Sequence, residues 1–300
     1  MSRKLPHPIP YQGSKRKLAP MIHPVLPGEI ETLYEPFAGS AAMTLYAAHH
    51  GLAKRFVIGD CLEPIIELWH SIIEAPDKTA SRYSEIWNGQ REDNPDYFNK
   101  VRERYNNEHD PVDLLYLICR CVKNAVRFNS SGRFTQSADK RRLGMAPEKM
   151  ADAILGASFL LKGKTELRKG DWLLTTEDAR PEDFVYMDPP YLGTTVGRDK
   201  RYHQQLEQER LIAGLESLNQ RGIRFALSYD GMTGEKEYGP PLPDDLGMTR
   251  LLLHAGRSSQ ATLQGKADET IESLYLSGNL QAPEKKVFEQ PKSLQQALAL

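Results

Sequence analysis

The tetrapeptide Asp188-Pro189-Pro190-Tyr191 follows the apolar run Phe184-Val185-Tyr186-Met187. With average residue usage it would arise by chance roughly once in a thousand chains of this length. A strand ending in a rigid turn accounts for the prolines, because proline cannot continue a sheet. It does not account for the flanking acid and aromatic. The carboxylate of Asp188 and the carbonyl of Pro189 are two acceptors that suit an exocyclic amine. Such a nitrogen is a poor nucleophile because its lone pair is shared with the ring. Accepting its two hydrogens favours a pyramidal nitrogen whose lone pair points at an electrophilic methyl. The same negative charge stabilises the positive charge that develops on nitrogen. Tyr191 supplies a ring on which an extruded base can stack.

A second group of residues lies at the other end of the chain. Glu35-Pro36-Phe37-Ala38-Gly39-Ser40 forms a strand-to-helix turn, and Gly39 permits close backbone approach to a bound molecule. Asp60 follows twenty-one residues later at the end of the next apolar run. An acid at about that distance commonly binds ribose hydroxyls. The turn lacks the three-glycine pattern of dinucleotide folds, so NAD is a poor fit. A purely structural glycine accounts equally well for the turn taken alone.

These residues need a frame. Residues 31–37 read as a strand, 41–48 as a buried helix stopped by Gly51, and 54–60 as a second strand. That is a β-α-β unit, the signature of a parallel sheet. From 64 to 162 no strand rhythm is found. Helical periodicity appears near 64–75, 79–89, 96–108, 111–127 and 148–162, interrupted by the polar segment 129–136. Strands return at 183–188 and 222–229, with a helix over 201–221 between them. Residues 249–254 and 270–276 form a closing pair, and a tail with Pro283 and Pro291 is expected to be poorly ordered. In such sheets ligands bind at the carboxyl ends of strands, where both motifs fall. Gly193 and Gly197 suggest a mobile loop after the tetrapeptide, and helix initiation accounts for it equally well.

Composition narrows the class. The 300 residues carry a net charge of −1, with 40% hydrophobic and 26% charged side chains, as expected of a soluble globular protein. No apolar run approaches the ~20 residues that span a membrane. Three cysteines without zinc spacing read as reduced thiols of a cytoplasmic protein. His49 and His50 are adjacent on a helix and do not face the same way, so no metal is expected. Trp69 and Trp87 occupy helical positions that suit a core. Between Arg120 and Arg142 seven basic residues face one acid, Asp139. That stripe is either a phosphate-binding face or an ordinary solvated one.

With these motifs in this order, the chain resembles the Dam-type DNA adenine methylases over roughly residues 9–280. Tyr11-Gln12-Gly13-Ser14-Lys15 resembles the family's N-terminal segment, in which the aromatic and the lysine contact the methionine part of S-adenosylmethionine. Glu35, Phe37 and Gly39 resemble its cofactor loop, and Asp60 its ribose ligand. Asp171-Trp172 stands where the family has an acid–aromatic pair on the cofactor's adenine, and Asp188 to Tyr191 matches its catalytic motif. Arg127-Phe128-Asn129-Ser130-Ser131-Gly132-Arg133-Phe134 is similar to a segment leading into a DNA-contacting hairpin. Lys123, Arg127, Asn129 and Arg133 are the DNA-binding residues this implies.

The resemblance implies a Rossmann-like methyltransferase sheet of the α/β class with an inserted, mostly helical target-recognition domain. The expected division is 1–63 plus 163–280 for catalysis, 64–162 for DNA, and 281–300 as a tail. It implies methyl transfer from S-adenosylmethionine to adenine N6 of a flipped base in double-stranded DNA. The expected enzyme is a monomer or weak dimer, with any cognate restriction endonuclease acting independently. Two positions depart from the family pattern. Ala41 replaces a second glycine, which is acceptable if residue 41 is already helical. Lys123-Asn124-Ala125-Val126 replaces Asn-Gly-Leu. Cytosine N4 methylation, RNA adenine methylation and a catalytically idle DNA binder are the competing readings. Family usage of Ser in the first motif position for cytosine makes Asp188 favour adenine.

Overall fold

The computed structural model describes residues 4–90, 96–190, 208–233, 236–238, 241–257, 269–281 and 287–289. Nine strands make one sheet among them: β1 (Thr32–Glu35), β2 (Arg55–Asp60), β3 (Thr165–Lys169), β4 (Phe184–Met187), β5 (Arg224–Thr233), β6 (Lys236–Tyr238), β7 (Thr249–Arg257), β8 (Glu269–Leu276) and β9 (Val287–Glu289). Their order is β3-β2-β1-β4-β5-β8-β7-β9, with β6 beside β5. The first five strands pair in parallel, and β8 lies antiparallel between β5 and β7. This is the mixed α/β sheet expected from the sequence, and 249–254 and 270–276 do form the closing pair.

The parallel strands are buried on both faces, as crossover helices require. All four residues of β4 are buried, as are Leu33, Tyr34 and Glu35 of β1. Helix α2 (Ala42–His50) connects β1 to β2 and ends where Gly51 takes a left-handed conformation, φ 67°. From β1 the strand order runs through β2 to β3 on one side and through β4 to β5 on the other. The order therefore reverses between β1 and β4, and in such sheets ligands bind beyond the carboxyl ends of the strands at that point.

Ahead of β1 lies the short helix α1 (Ala19–Ile22). The helical zone contains α3 (Glu63–Glu74), α4 (Pro76–Gly89), α5 (Tyr97–Glu108), α6 (Pro111–Arg120) and α7 (Pro147–Leu161). Helix α6 is its hub, buried continuously from Val112 to Cys119. Its start is specified locally: Asp110 Oδ1 accepts the Val112 N–H at 2.8 Å, and Pro111 occupies the first turn. Asp113 within that buried run would be costly alone, and Arg104 meets it from α5 through Nε at 2.6 Å and Nη2 at 2.5 Å. One hydrophobic core runs without interruption from the sheet into this zone and includes Trp69 and Trp87.

Four expectations differ from the structure. The helix read over 111–127 stops at Arg120, because Cys121 is extended and both Lys123 and Asn124 take positive φ. The Asn124 amide then donates to the Ile118 carbonyl at 2.9 Å, satisfying a helix-end acceptor. Residue 41 is not helical: Ala41 sits at φ 46°, ψ 46°, immediately before α2. Strand β3 escaped notice because its sequence, Thr-Glu-Leu-Arg-Lys, carries a single apolar side chain, as an edge strand can. Within the tail, Val287–Glu289 pairs in parallel with β7. Residues 192–207, including the glycine-bearing loop and the start of the predicted helix, lie outside the described residues. The described part of that helix is α9 (Gln208–Gln220).

Candidate active site

The turn after β1 is organised by two buried acids. Glu35 ends β1, and its carboxylate accepts the backbone N–H groups of Thr44 at 2.7 Å and Met43 at 3.3 Å. These are orphan donors of the first turn of α2, which Ala41 cannot cap. Burial pushes the Glu35 carboxyl up to about 7, against the pull of those same hydrogen bonds. Asp60 ends β2 and accepts the N–H of Gly39 through Oδ2 and of Leu62 through Oδ1, each at 2.9 Å. Burial raises it to about 6. Trp69 Nε1 donates to the Gly39 carbonyl at 3.0 Å, so both backbone groups of Gly39 are held.

The N-terminal segment closes on this turn. A Cβ on Gly39, whose φ is +46°, would lie 3.1 Å from the ring of Tyr11. Ser14 Oγ and Ser40 Oγ are 2.7 Å apart. Tyr11 and Gly39, twenty-eight positions apart in the chain, are thus neighbours. Gln12 N–H donates to the Asn124 carbonyl at 3.1 Å, joining the same segment to the helical zone.

Across the strand-order reversal stands Asp188, just past β4. The Lys15 ammonium lies 3.2 Å from its Oδ1 and 2.7 Å from Oε2 of Glu272 on β8. Expected to contact the methionine part of the cofactor, Lys15 has its ammonium against two protein carboxylates. Burial is the main reason the Asp188 carboxyl is pushed up to about 6. Lys15 opposes that shift and Glu272 adds to it. Tyr186, two residues earlier on the same face of β4, shares a 3.0 Å hydrogen bond with Ser228 of β5. Pro189 is buried and Pro190 half-buried. Tyr191 lies outside the described residues.

Asp171 and Trp172 open the short helix α8 (Trp172–Thr175). The Asp171 carboxylate caps it by accepting the Leu173 N–H at 2.9 Å and pairs with Arg210 at 2.9 Å. Trp172 is only 2% exposed, and a Cβ on Gly214 of α9 would come within 2.3 Å of its indole. Its ring centroid lies 6.0 Å from that of Phe37. Phe37 and Trp172 are thus neighbours. Asp171 follows the end of β3 and Asp60 ends β2, and these strands are adjacent in the sheet.

The four residues expected at DNA gather on one irregular segment. Phe128 and Phe134 form an isolated antiparallel bridge, and the Asn129 side chain accepts the N–H groups of Ser131 at 3.0 Å and Arg133 at 2.9 Å. Asn129 shapes this hairpin from inside. Arg133 pairs with Glu103 at 2.7 Å, and Lys123 is exposed at a positive φ of 59°. Arg141 and Arg142 both pair with Asp139, so part of the basic stripe is matched internally.

Sequence reasoning missed Glu272. Its signal was present: along β8 it shares a strand face with the buried Leu274 and Leu276, an acid in an apolar row. The capping role of Glu35 was also missed, because it joins residues eight and nine positions apart through a turn.

Comparison with known proteins bears on the whole arrangement. The modification methylase StsI of Streptococcus sanguinis is 29% identical over 238 residues, covering 74% of this chain and 35% of that protein. The Type II methyltransferase M.FokI of Planomicrobium okeanokoites is 25% identical over 227 residues, with the same coverages of 74% and 35%. The chain therefore spans about a third of the length of these two relatives. The Type II methyltransferase M1.LlaDCHI of Lactococcus lactis subsp. cremoris is 22% identical over 279 residues, 88% of this chain and 94% of that protein. A family model described as D12 class N6 adenine-specific DNA methyltransferase matches residues 11–271, and the chain belongs to that family.

Proposed function

We propose that this chain transfers a methyl group from S-adenosylmethionine to the N6 amino group of a flipped adenine in duplex DNA. The observation that carries the reading is the position of Asp188. It stands at the carboxyl end of β4, across the strand-order reversal from the Gly39 turn, with a cation on one carboxylate oxygen. The residues present fit the cofactor. Gly39 leaves a cradle beside the Tyr11 ring that a Cβ would fill. Each oxygen of Asp60 accepts one backbone N–H and has capacity for another donor, such as a ribose hydroxyl. Phe37, Asp171 and Trp172 bound the side on which the adenine moiety would rest, and Glu35 acts through the start of α2.

When bound, S-adenosylmethionine supplies an electrophilic methyl on a cationic sulfur. Asp188 accepts one hydrogen of the target amine and the Pro189 carbonyl the other, and Tyr191 stacks on the base. The Asp188 charge then offsets the positive charge growing on nitrogen as the N–C bond would form and the methyl–sulfur bond would break, the electron pair remaining on a neutral thioether; the methylated nitrogen would then give up one proton to solvent. Pro190 and Pro189 hold both acceptors at one rigid turn. The helical zone 64–162 reads the duplex, with Lys123, Arg127, Asn129 and Arg133 at its DNA face. In a modification system the partner nuclease acts on its own.

The test is expression in a methylase-deficient host followed by sequencing of the host DNA for modified bases. N6-methyladenine at one recurring short motif is expected, and Asp188→Ala should abolish it while DNA binding persists. Modified cytosine, or no modified base from a soluble protein that binds the cofactor, would overturn the proposal.

A further inference from the structure

We propose that the two turns beyond α6, residues 121–124 and 139–143, form a contact with the sugar–phosphate backbone of duplex DNA that is separate from the hairpin. Lys123 and Lys140 take phosphates, and Val122 and Leu143 lie against the apolar faces of the sugars. This deepens the DNA reading above and rests on it. The two turns are one unit. Cys121 bridges antiparallel to Ala138, the Val122 N–H donates to the Ser137 carbonyl at 3.1 Å, and the Asp139 N–H donates to the Arg120 carbonyl at 2.7 Å. The Arg142 guanidinium crosses between the turns. It donates through Nε to Asp139 at 3.0 Å, and through its other nitrogens to the Asn124 side chain and the Cys121 carbonyl at 3.5 Å each. Arg120 donates to the Asp139 carbonyl at 2.7 Å, and Arg141 pairs with the Asp139 carboxylate at 3.1 Å. These three arginines therefore build the unit.

The two lysines do not build it. Both are exposed, and among the described residues neither ammonium has a hydrogen-bond or ion-pair partner. Lys123 also stands at φ 59°, a conformation that its neighbour Asn124, at φ 52°, tolerates better. Asn124 offsets its own conformation by bonding the Ile118 carbonyl at the end of α6, and Lys123 makes no such bond. The chain thus holds a cation outward there against backbone preference, a kind of outlier that marks functional positions. Val122 is 39% exposed and Leu143 53% exposed on the same two turns. One exposed apolar side chain needs no account. Two of them beside two uncompensated cations suit a partner in which anionic and apolar groups alternate, as phosphates and sugars do along a DNA strand. A small free anion would leave both apolar side chains uncovered. Backbone contacts fix how a duplex lies without reading its sequence, so this unit orients the DNA that the hairpin reads.

The experiment measures binding of the full chain to two labelled duplexes of equal length, one with the methylated motif and one without, by fluorescence anisotropy over a series of KCl concentrations. The variants are Lys123→Asn, which suits the left-handed backbone, Lys140→Gln, Val122→Ser and Leu143→Ser. Each lysine variant is expected to weaken both duplexes by the same factor. Each should also lower the slope of log affinity against log salt by about 0.9, the release expected for one phosphate contact, and the double lysine variant should lower it by about twice that. The two serine variants should weaken both duplexes severalfold with the slope unchanged. Thermal melting confirms that each variant is folded. If Lys123→Asn does not fold, Lys140→Gln decides alone, and an unchanged slope there overturns the proposal. Unchanged slopes in both lysine variants overturn it as well. So does a loss confined to the duplex with the motif, which would make the lysines base readers. Sedimentation of a wild-type dimer that Leu143→Ser converts to monomer would assign the apolar pair to a second copy of the chain and also overturn it. A wild type that binds neither duplex would instead defeat the underlying DNA reading.

Discussion

Asp60 Oδ2 accepts the backbone N–H of Gly39 at 2.9 Å, so the acid at the end of β2 holds the turn at the end of β1. Its other oxygen holds Leu62 at 2.9 Å. The residue expected to bind a ribose thus also builds the turn beside it. Asp60→Asn replaces one acceptor oxygen with a donor and strands one buried N–H. We expect a loss of about 1–3 kcal/mol of stability in urea unfolding. Calorimetric titration should show cofactor affinity falling at least about tenfold, the equivalent of 1.4 kcal/mol. Retained affinity with lost stability would confine Asp60 to a structural role.

Gly39→Ala places a methyl 3.1 Å from the Tyr11 ring at a left-handed φ of +46°. The backbone penalty alone is roughly 1–2 kcal/mol. We expect a lower melting temperature and, by calorimetric titration, weaker cofactor binding. Wild-type affinity and melting would show that the Tyr11 ring moves aside without consequence.

The Glu35 carboxyl is raised by burial from its ordinary range to about 7. A carboxyl raised in the folded state binds protons more tightly folded than unfolded. Its contribution is therefore greatest at low pH and declines as pH rises toward 7. We expect the stability difference between wild type and Glu35→Gln to fall from about pH 4.5 to about pH 7, measured by urea unfolding at fixed ionic strength. A difference that is flat across this window, or that grows with pH, would contradict the assigned direction.

The hairpin of the helical zone separates two kinds of residue among those expected at DNA. Asn129 accepts the Ser131 and Arg133 N–H groups, so Asn129→Ala should disorder the hairpin and erode discrimination between related sites. Cofactor binding should not change. Arg127→Ala should weaken specific binding by about 1–3 kcal/mol if Arg127 reads a base. Competition binding across salt concentrations checks both, and unchanged affinity and salt slope for Arg127→Ala would remove it from the interface.

Much of this arrangement was legible without coordinates. The β-α-β pattern over 31–60, the apolar run before Asp188 and the closing strands were plain because apolar periodicity is local, and buried parallel strands leave continuous apolar runs. Tyr11 meets Gly39, and Asp60 holds the same turn, although the three lie far apart in the chain. Less legible were features whose cause lies elsewhere in the chain. Helix α6 ends at Arg120 although apolar residues continue past it, because Lys123 and Asn124 turn left-handed and Asn124 caps the helix. Ala41 holds a conformation that favours glycine, and a one-letter code shows the residue without its φ.

The sequence by itself determined the β-α-β unit over 31–60, the apolar run before Asp188 and the Gly39 turn, since each is written in a short run of neighbouring residues. Tertiary structure alone decided the charge balance around Asp188. Lys15, Asp188 and Glu272 come from an N-terminal segment, the end of β4 and the middle of β8. Nothing in their spacing brings them together. The sheet order does so by placing β8 beside β5 and folding the first residues back over the carboxyl ends of the strands. The energy of an ion pair depends on distance and burial, and neither exists until the chain has closed.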